Sequence, residues 1–144
     1  MKKYLIIGCL LIFGIVGAKA QSYGLAIGVR GGLPGGLSAK QMMNGGVYGL
    51  EAIVGFDYER NLNIGGLFEY QFYINRSTNW YLGAGGAMIF GEKNVGAGVD
   101  FVAGIEWTFD NYPLNLAFDW KPRYVIFDQK LAWYQSAVSI RYTL

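Results

Sequence analysis

Residues 99–120 read VDFVAGIEWTF (99–109), DNYP (110–113) and LNLAFDW (114–120). In the first run Val99, Phe101, Ala103, Ile105, Trp107 and Phe109 share one face, and Asp100, Val102, Gly104, Glu106 and Thr108 share the other, the period of two that a strand requires. The second run repeats the division, with Leu114, Leu116, Phe118 and Trp120 opposite Asn115, Ala117, Asp119 and Lys121. Asp110, Asn111 and Pro113 supply turn chemistry between the runs. The stretch is therefore predicted to be a β-hairpin with one apolar, aromatic wall and one wall of charges, glycine and alanine. Which wall faces water decides what kind of protein this is.

The same alternation recurs along the chain. From Tyr23 to Gly32, Leu25, Ile27 and Val29 oppose Ala26, Gly28 and Arg30, and Leu33 to Gly36 turns the run. Leu37 to Met43 sets Leu37, Ala39, Gln41 and Met43 against Ser38, Lys40 and Met42, ahead of the hairpin signal Asn44-Gly45-Gly46. Tyr48, Leu50, Ala52, Val54 and Phe56 then oppose Gly49, Glu51, Ile53, Gly55 and Asp57. After Glu59-Arg60-Asn61, the residues Leu62, Ile64, Gly66, Phe68, Tyr70 and Phe72 oppose Asn63, Gly65, Leu67, Glu69 and Gln71. A turn is expected over Ile74 to Asn79; the run from Trp80 to Phe90 is so rich in glycine that its faces stay open. Gly91 to Asn94 leads into the central hairpin, a connection follows at Asp128 to Leu131, and the last run ends on Leu144. The reading gives about eight strands of roughly ten residues each, with no helical period and no linker. It predicts an all-β chain forming one domain, an eight-stranded antiparallel up-and-down β-barrel.

A soluble lipocalin-like or avidin-like barrel would alternate too, with its apolar residues inward. Three features favour the inverse, transmembrane arrangement. The polar wall carries small residues such as Gly49, Gly55, Gly65, Gly104 and Ala117, which suit the crowded interior of a narrow barrel. The apolar wall is supplied by nearly every strand and places Tyr70, Phe72, Trp107, Phe109, Trp120 and Tyr142 near strand ends, as aromatic girdles at two membrane interfaces require. The N-terminus carries an export signal. Lys2 and Lys3 precede an apolar run from Leu5 to Val16, and Ala18-Lys19-Ala20 has small residues at cleavage spacing. Residues 1–20 are read as a cleaved secretory signal peptide and 21–144 as the barrel, since the apolar run falls short of the roughly 20 residues a membrane-spanning helix needs.

Cleavage changes the charge balance. The full chain carries 12 basic and 10 acidic residues, and loss of Lys2, Lys3 and Lys19 leaves a slight acidic excess with no basic patch for nucleic acid. Only 15% of residues are charged and 17% are aromatic, against roughly 25% charged in soluble domains. Cys9, the one cysteine, lies in the predicted signal, so the mature chain is expected to hold no disulfide and no thiol chemistry.

If the polar wall is interior, Arg30, Lys40, Glu51, Glu69, Asp100, Glu106, Asp119, Lys121, Arg123 and Arg141 form a charge network in the lumen. At the end of the chain Val138, Ile140, Tyr142 and Leu144 alternate with Ser139, Arg141 and Thr143. This pattern resembles the terminal signal of bacterial outer-membrane barrels that the barrel assembly machinery reads, although such signals more often end in Phe or Trp. Several stretches resemble a family of small outer-membrane β-barrel proteins common in Bacteroidetes. They are GLSAK (36–40), GLEAIVGF (49–56), NWYLGAGGAM (79–88), GVDFVAGIEWTFDNYPLNLAFDWKP (98–122) and SIRYTL (139–144). In architecture that family is similar to OmpX and to the transmembrane domain of OmpA. The resemblance implies a monomer in the outer membrane of a Gram-negative bacterium, with outer-membrane lipid and the assembly machinery as its partners.

Enzymatic readings find little support. The enzymes of the outer membrane, including palmitoyltransferases, lipid A deacylases, phospholipases and omptin proteases, resemble one another in using a catalytic histidine, and this chain has none. Ser/His/acid chemistry and ordinary imidazole or thiolate metal sites are thereby excluded. The carboxylate pairs Glu51 with Glu69 and Asp100 with Glu106 offer acid/base chemistry in principle, but they are expected to face the basic residues of a filled lumen. No phosphate-cradling loop is present, so no cofactor, catalytic residue or metal ligand is assigned. A barrel of about eight strands has room inside only for its own side chains. The expectation is an integral structural or envelope-interaction protein; adhesion or partner binding, or a narrow small-solute channel, are the alternatives.

Overall fold

The computed structural model describes residues 24–144 apart from positions 58, 76, 110, 127 and 128. The predicted signal segment, Tyr23, Asp110 and Asp128 lie outside the described residues. The strands are β1 (Leu25–Gly32), β2 (Gly35–Met43), β3 (Tyr48–Phe56), β4 (Leu62–Tyr73), β5 (Thr78–Phe90), β6 (Val95–Thr108), β7 (Leu114–Trp120), β8 (Arg123–Val125), β9 (Lys130–Ala132) and β10 (Ser136–Thr143). A short 3-10 turn at Asn44–Gly46 joins β2 to β3, with Gly45 in the left-handed region.

These ten segments make eight barrel strands. The strand β6 pairs with β7 through Ala103↔Trp120 and with β8 through Asp100↔Arg123, so β7 and β8 are one strand interrupted at Lys121 and Pro122. Proline has no N–H to give the ladder, and the Pro122 carbonyl instead accepts from Phe101 N–H at 3.0 Å. The last strand is likewise broken between β9 and β10. From Trp120↔Ser136 to Arg123↔Ala132 one side advances three positions and the other four, which is a one-residue bulge. Trp133 and Tyr134 both point outward there. On the outer surface the Trp120 indole donates to Trp133 O at 2.6 Å and the two rings stack 6.2 Å apart.

All neighbours are antiparallel, and β1 pairs with β10 to close the cylinder. A walk across the ladders runs Tyr142, Ile27, Ala39, Ala52, Gly66, Gly86, Val99, Tyr124 and Leu131. It returns to its starting strand 11 positions away, at Leu131 rather than Tyr142, and one of these positions is the bulged residue. The remaining stagger is even, so inward-facing residues meet inward-facing residues after a full turn, as closure demands.

Several boundaries differ from the sequence reading. The expected turn over Ile74 to Asn79 shrinks because β5 begins at Thr78 and pairs Asn79 with Glu106. The strand β6 starts at Val95, four residues before the quoted stretch, because Val95 pairs with Phe90, and it ends before Phe109. Leu25, expected on the outer wall, is buried at the start of β1, where Leu144 N–H bonds to its carbonyl at 2.8 Å.

The faces follow the inverse arrangement. Val29, Leu37, Phe68, Phe101, Phe118 and Ile140 are exposed, whereas every residue of the ten-residue charge network is at most 3% exposed. The open faces of β5 resolve with Trp80, Leu82 and Met88 outward and Tyr81 fully buried in the lumen. Tyr81 pairs with Gly104, and a Cβ built on Gly104 would lie 2.3 Å from the Tyr81 ring. The glycine is what lets the ring lie against the barrel wall. Gly104→Ala is expected to cost about 1–3 kcal/mol by overpacking, and the loss should shrink in the Tyr81→Ala background. Denaturant unfolding of the four variants checks this, and an additive cycle would disprove the contact.

Candidate functional site

Among the described residues the lumen is where the charged and polar side chains gather, and the strand stagger decides who meets whom. Nearest the β1–β2 turn, Arg30 on β1 forks onto Asp119 on β7, with Nη1 to Oδ2 at 2.7 Å and Nη2 to Oδ1 at 2.6 Å. Its Nε–H donates to Pro34 O at 3.2 Å, and Tyr81 O–H donates to the same aspartate at 3.0 Å. Bidentate geometry of this kind is the strongest form of the pair.

Toward the end of the barrel that carries Gly91 to Asn94, Arg123 forks onto Asp100, with Nε to Oδ1 at 2.5 Å and Nη2 to Oδ2 at 3.0 Å. Its Nη1 donates to Asn63 Oδ1. Lys121 Nζ lies 3.1 Å from Asp100 Oδ2 and 3.4 Å from Gln135 Oε1. The Lys121-Pro122 interruption therefore sets two cations on one carboxylate.

Toward the opposite end a larger cluster joins seven strands. Arg141 on β10 donates to Glu51 Oε1, to Ser38 Oγ at 3.0 Å and to Asn115 Oδ1 at 3.0 Å. Lys40 on β2 sits 2.6 Å from Glu69 Oε2 and 3.2 Å from Glu106 Oε1, with its ammonium 4.0 Å from the Tyr81 ring centroid. Glu106 also accepts from Asn79 at 2.9 Å and from Asn115 at 3.1 Å. Along β3, β4 and β6 the apolar cluster of Ile53, Leu67 and Val102, with Tyr81, follows or precedes these charges and separates this cluster from the one around Asp100.

All ten residues of the expected network are thus in the lumen, and all are ion-paired. One proposed pairing does not form. Asp100 and Glu106, two carboxylates of the same strand face, are drawn into separate clusters, because β8 reaches Asp100 while β2 and β10 reach Glu106. Sequence reasoning missed the uncharged partners Ser38, Asn63, Asn79, Asn115 and Tyr81. For Ser38, Asn63 and Asn115 the signal was position alone, since each lies on the wall opposite the aromatics, whereas Asn79 sits in the expected turn and Tyr81 in the glycine-rich run whose faces stay open.

A vestibule of about 1220 Å³ opens beside the Gly91 to Asn94 turn, reaching down to Arg123 and Gln135 and up to Arg60 and Lys93. Its lining includes neither Lys40, Glu51, Glu69, Glu106 nor Arg141. The exterior carries two aromatic zones. Tyr70, Phe72, Trp80, Trp107 and Tyr142 lie toward one end, and Phe56, Phe90, Tyr124, Trp133 and Tyr134 toward the other. Tyr48, Phe68, Tyr70 and Phe72 pack in a chain of ring contacts, with centroids 4.8 to 5.6 Å apart. No protein-family model, curated protein or solved structure matches the chain.

Proposed function

We propose that the protein is an integral outer-membrane β-barrel with a side-chain-filled lumen and a structural or envelope-interaction role, exported by its N-terminal signal and working as a monomer in lipid. The observation that carries this reading is the inversion of the barrel. Val29, Leu37, Phe101 and Tyr142 are more than half exposed while Lys40, Glu69, Glu106 and Arg141 are not exposed at all. In water that distribution would leave a continuous apolar cylinder exposed, far beyond the patches a soluble monomer tolerates; in a bilayer it is the arrangement lipid favours, with every ladder closed. The paired aromatic zones fit two interfaces, and the resemblance of 98–122 and of Val138, Ile140, Tyr142 and Leu144 to small outer-membrane barrels supports delivery by the assembly machinery. The absence of histidine and the ion pair made by every lumen carboxylate favour a non-enzymatic role, and the packed lumen speaks against a solute channel.

The test is migration and partition. The mature protein should run faster on a gel when left unheated in detergent than after boiling, and should float with lipid vesicles. Full solubility as a monomer without detergent would refute the reading.

Orientation follows from an even strand number with both termini periplasmic. The turns at Gly45 and Asn111 and the one between β4 and β5 then face the periplasm, and the connections near Pro34, Arg60, Lys93 and Gln129 face outward. Cysteine placed at Lys93 should react with an impermeant maleimide on intact cells, and cysteine at Asn111 only after the outer membrane is opened. The reverse pattern would invert the topology.

A further inference from the structure

We propose that Glu51 and Glu69 share one proton, so that the folded lumen contains a buried proton-binding site made of a carboxylic acid hydrogen-bonded to a carboxylate. The two residues sit on adjacent strands. Glu51 pairs with Leu67 and Glu69 with Gly49, which makes the two glutamates diagonal neighbours on the same inward face. Both side chains are fully buried, and the diagonal placement sets the two carboxyl groups side by side on one inward face.

The donors around them are distributed in a telling way. Glu51 receives Ser38 O–H at 2.5 Å and the Arg141 guanidinium, both on Oε1. Glu69 receives Lys40 at 2.6 Å and Gln71 N–H at 3.2 Å, both on Oε2. The remaining oxygens, Oε2 of Glu51 and Oε1 of Glu69, are buried and meet no donor among the described residues. Buried acceptors without donors are rare and demand an explanation, and two of them on diagonal neighbours of one inward face have a simple one. A single O–H between the groups satisfies both oxygens and removes the repulsion that two adjoining carboxylates would otherwise suffer.

The local charge count points the same way. Ser38 and Lys40 from β2, Gln71 from β4 and Arg141 from β10 contact the pair, and behind them stand Asn79 on Gln71, Glu106 and the Tyr81 ring on Lys40, and Asn115 on Arg141, with the Arg30–Asp119 fork beyond. The Arg30 fork is committed to Asp119, and Lys121 and Arg123 are committed to Asp100. Two cations, Lys40 and Arg141, are left to balance three carboxylates, Glu51, Glu69 and Glu106. One bound proton brings this cluster to neutrality, which a desolvated interior strongly favours. The inference stands on the closed barrel and its packed lumen and does not depend on the membrane reading.

Infrared spectroscopy of the folded full chain at neutral pH tests it. The wild type should show the C=O stretch of a protonated carboxylic acid, shifted when the chain is refolded in D2O. The band should disappear in Glu69→Gln and in Glu51→Gln and persist in Asp57→Asn, which alters a carboxylate of the β3–β4 loop. Glu69→Gln replaces the acid O–H with an amide N–H donor, so its denaturant midpoint should match that of the wild type, whereas Glu69→Leu should lower it. A folded wild type without the band would overturn the proposal, leaving a water or a cation between the two oxygens. So would a band that survives both glutamine substitutions, or a Glu69→Gln chain that does not fold.

Discussion

Arg141→Leu is expected to destabilise the barrel by about 3–5 kcal/mol, the cost of stranding a buried charge. The guanidinium is fully buried, and it links Glu51, Ser38 and Asn115 from three other strands. Leucine fills most of the volume and satisfies none of these groups. Glu51 then keeps only the Ser38 hydroxyl on Oε1, and its charge sits in a packed interior that water does not reach. Adding Glu51→Leu should restore part of the loss, because an apolar pair of similar volume is far less costly than half an ion pair. Urea unfolding followed by tryptophan fluorescence in lipid vesicles measures both variants. A change within about 0.5 kcal/mol, the size typical of surface substitutions, would mean that Arg141 is solvated and that the polar wall is not an interior.

The membership of this network was legible in the sequence, but its pairing was not. Alternation alone places Arg30 and Asp119 on the inner wall. Nothing in the alternation says that residues 89 positions apart form a fork, because that contact follows from the stagger between β1 and β7 around the closed cylinder. The same stagger separates Asp100 from Glu106. The run from Trp80 to Phe90 resisted assignment for a different reason. Gly83, Gly85 and Gly86 carry no side chain to mark a face, so the placement of Tyr81 inside was visible only once its pairing with Gly104 was known. The two interruptions left weak traces, a proline at 122 and the consecutive aromatics Trp133-Tyr134. The consecutive aromatics break the period of two and the proline keeps it, and neither breaks the wall, since Lys121, Arg123 and Gln135 still point inward.

Stagger also settles which outer residues sit at the middle of the apolar belt. Leu116 pairs with Trp107, within one aromatic zone, and is a poor probe of the centre. Val138 is a better one. It lies four positions from Tyr142 in one zone and four from Tyr134 in the other, it is 50% exposed, and it pairs with Phe118 and Gly31. An arginine there would project from the middle of the barrel's height, the depth at which lipid solvates a guanidinium worst. Val138→Arg is expected to lower the unfolding free energy in vesicles by about 2–4 kcal/mol, the depth-dependent cost of a cation at the midplane. The same substitution at Val95, which starts β6 and pairs with Phe90 within the far aromatic zone, should cost about 0–1 kcal/mol. The two valines are similarly exposed, at 50% and 57%, and differ in depth. A bilayer predicts the gradient and bulk water predicts none. Equal and negligible effects at both sites would remove lipid from the outside of this barrel.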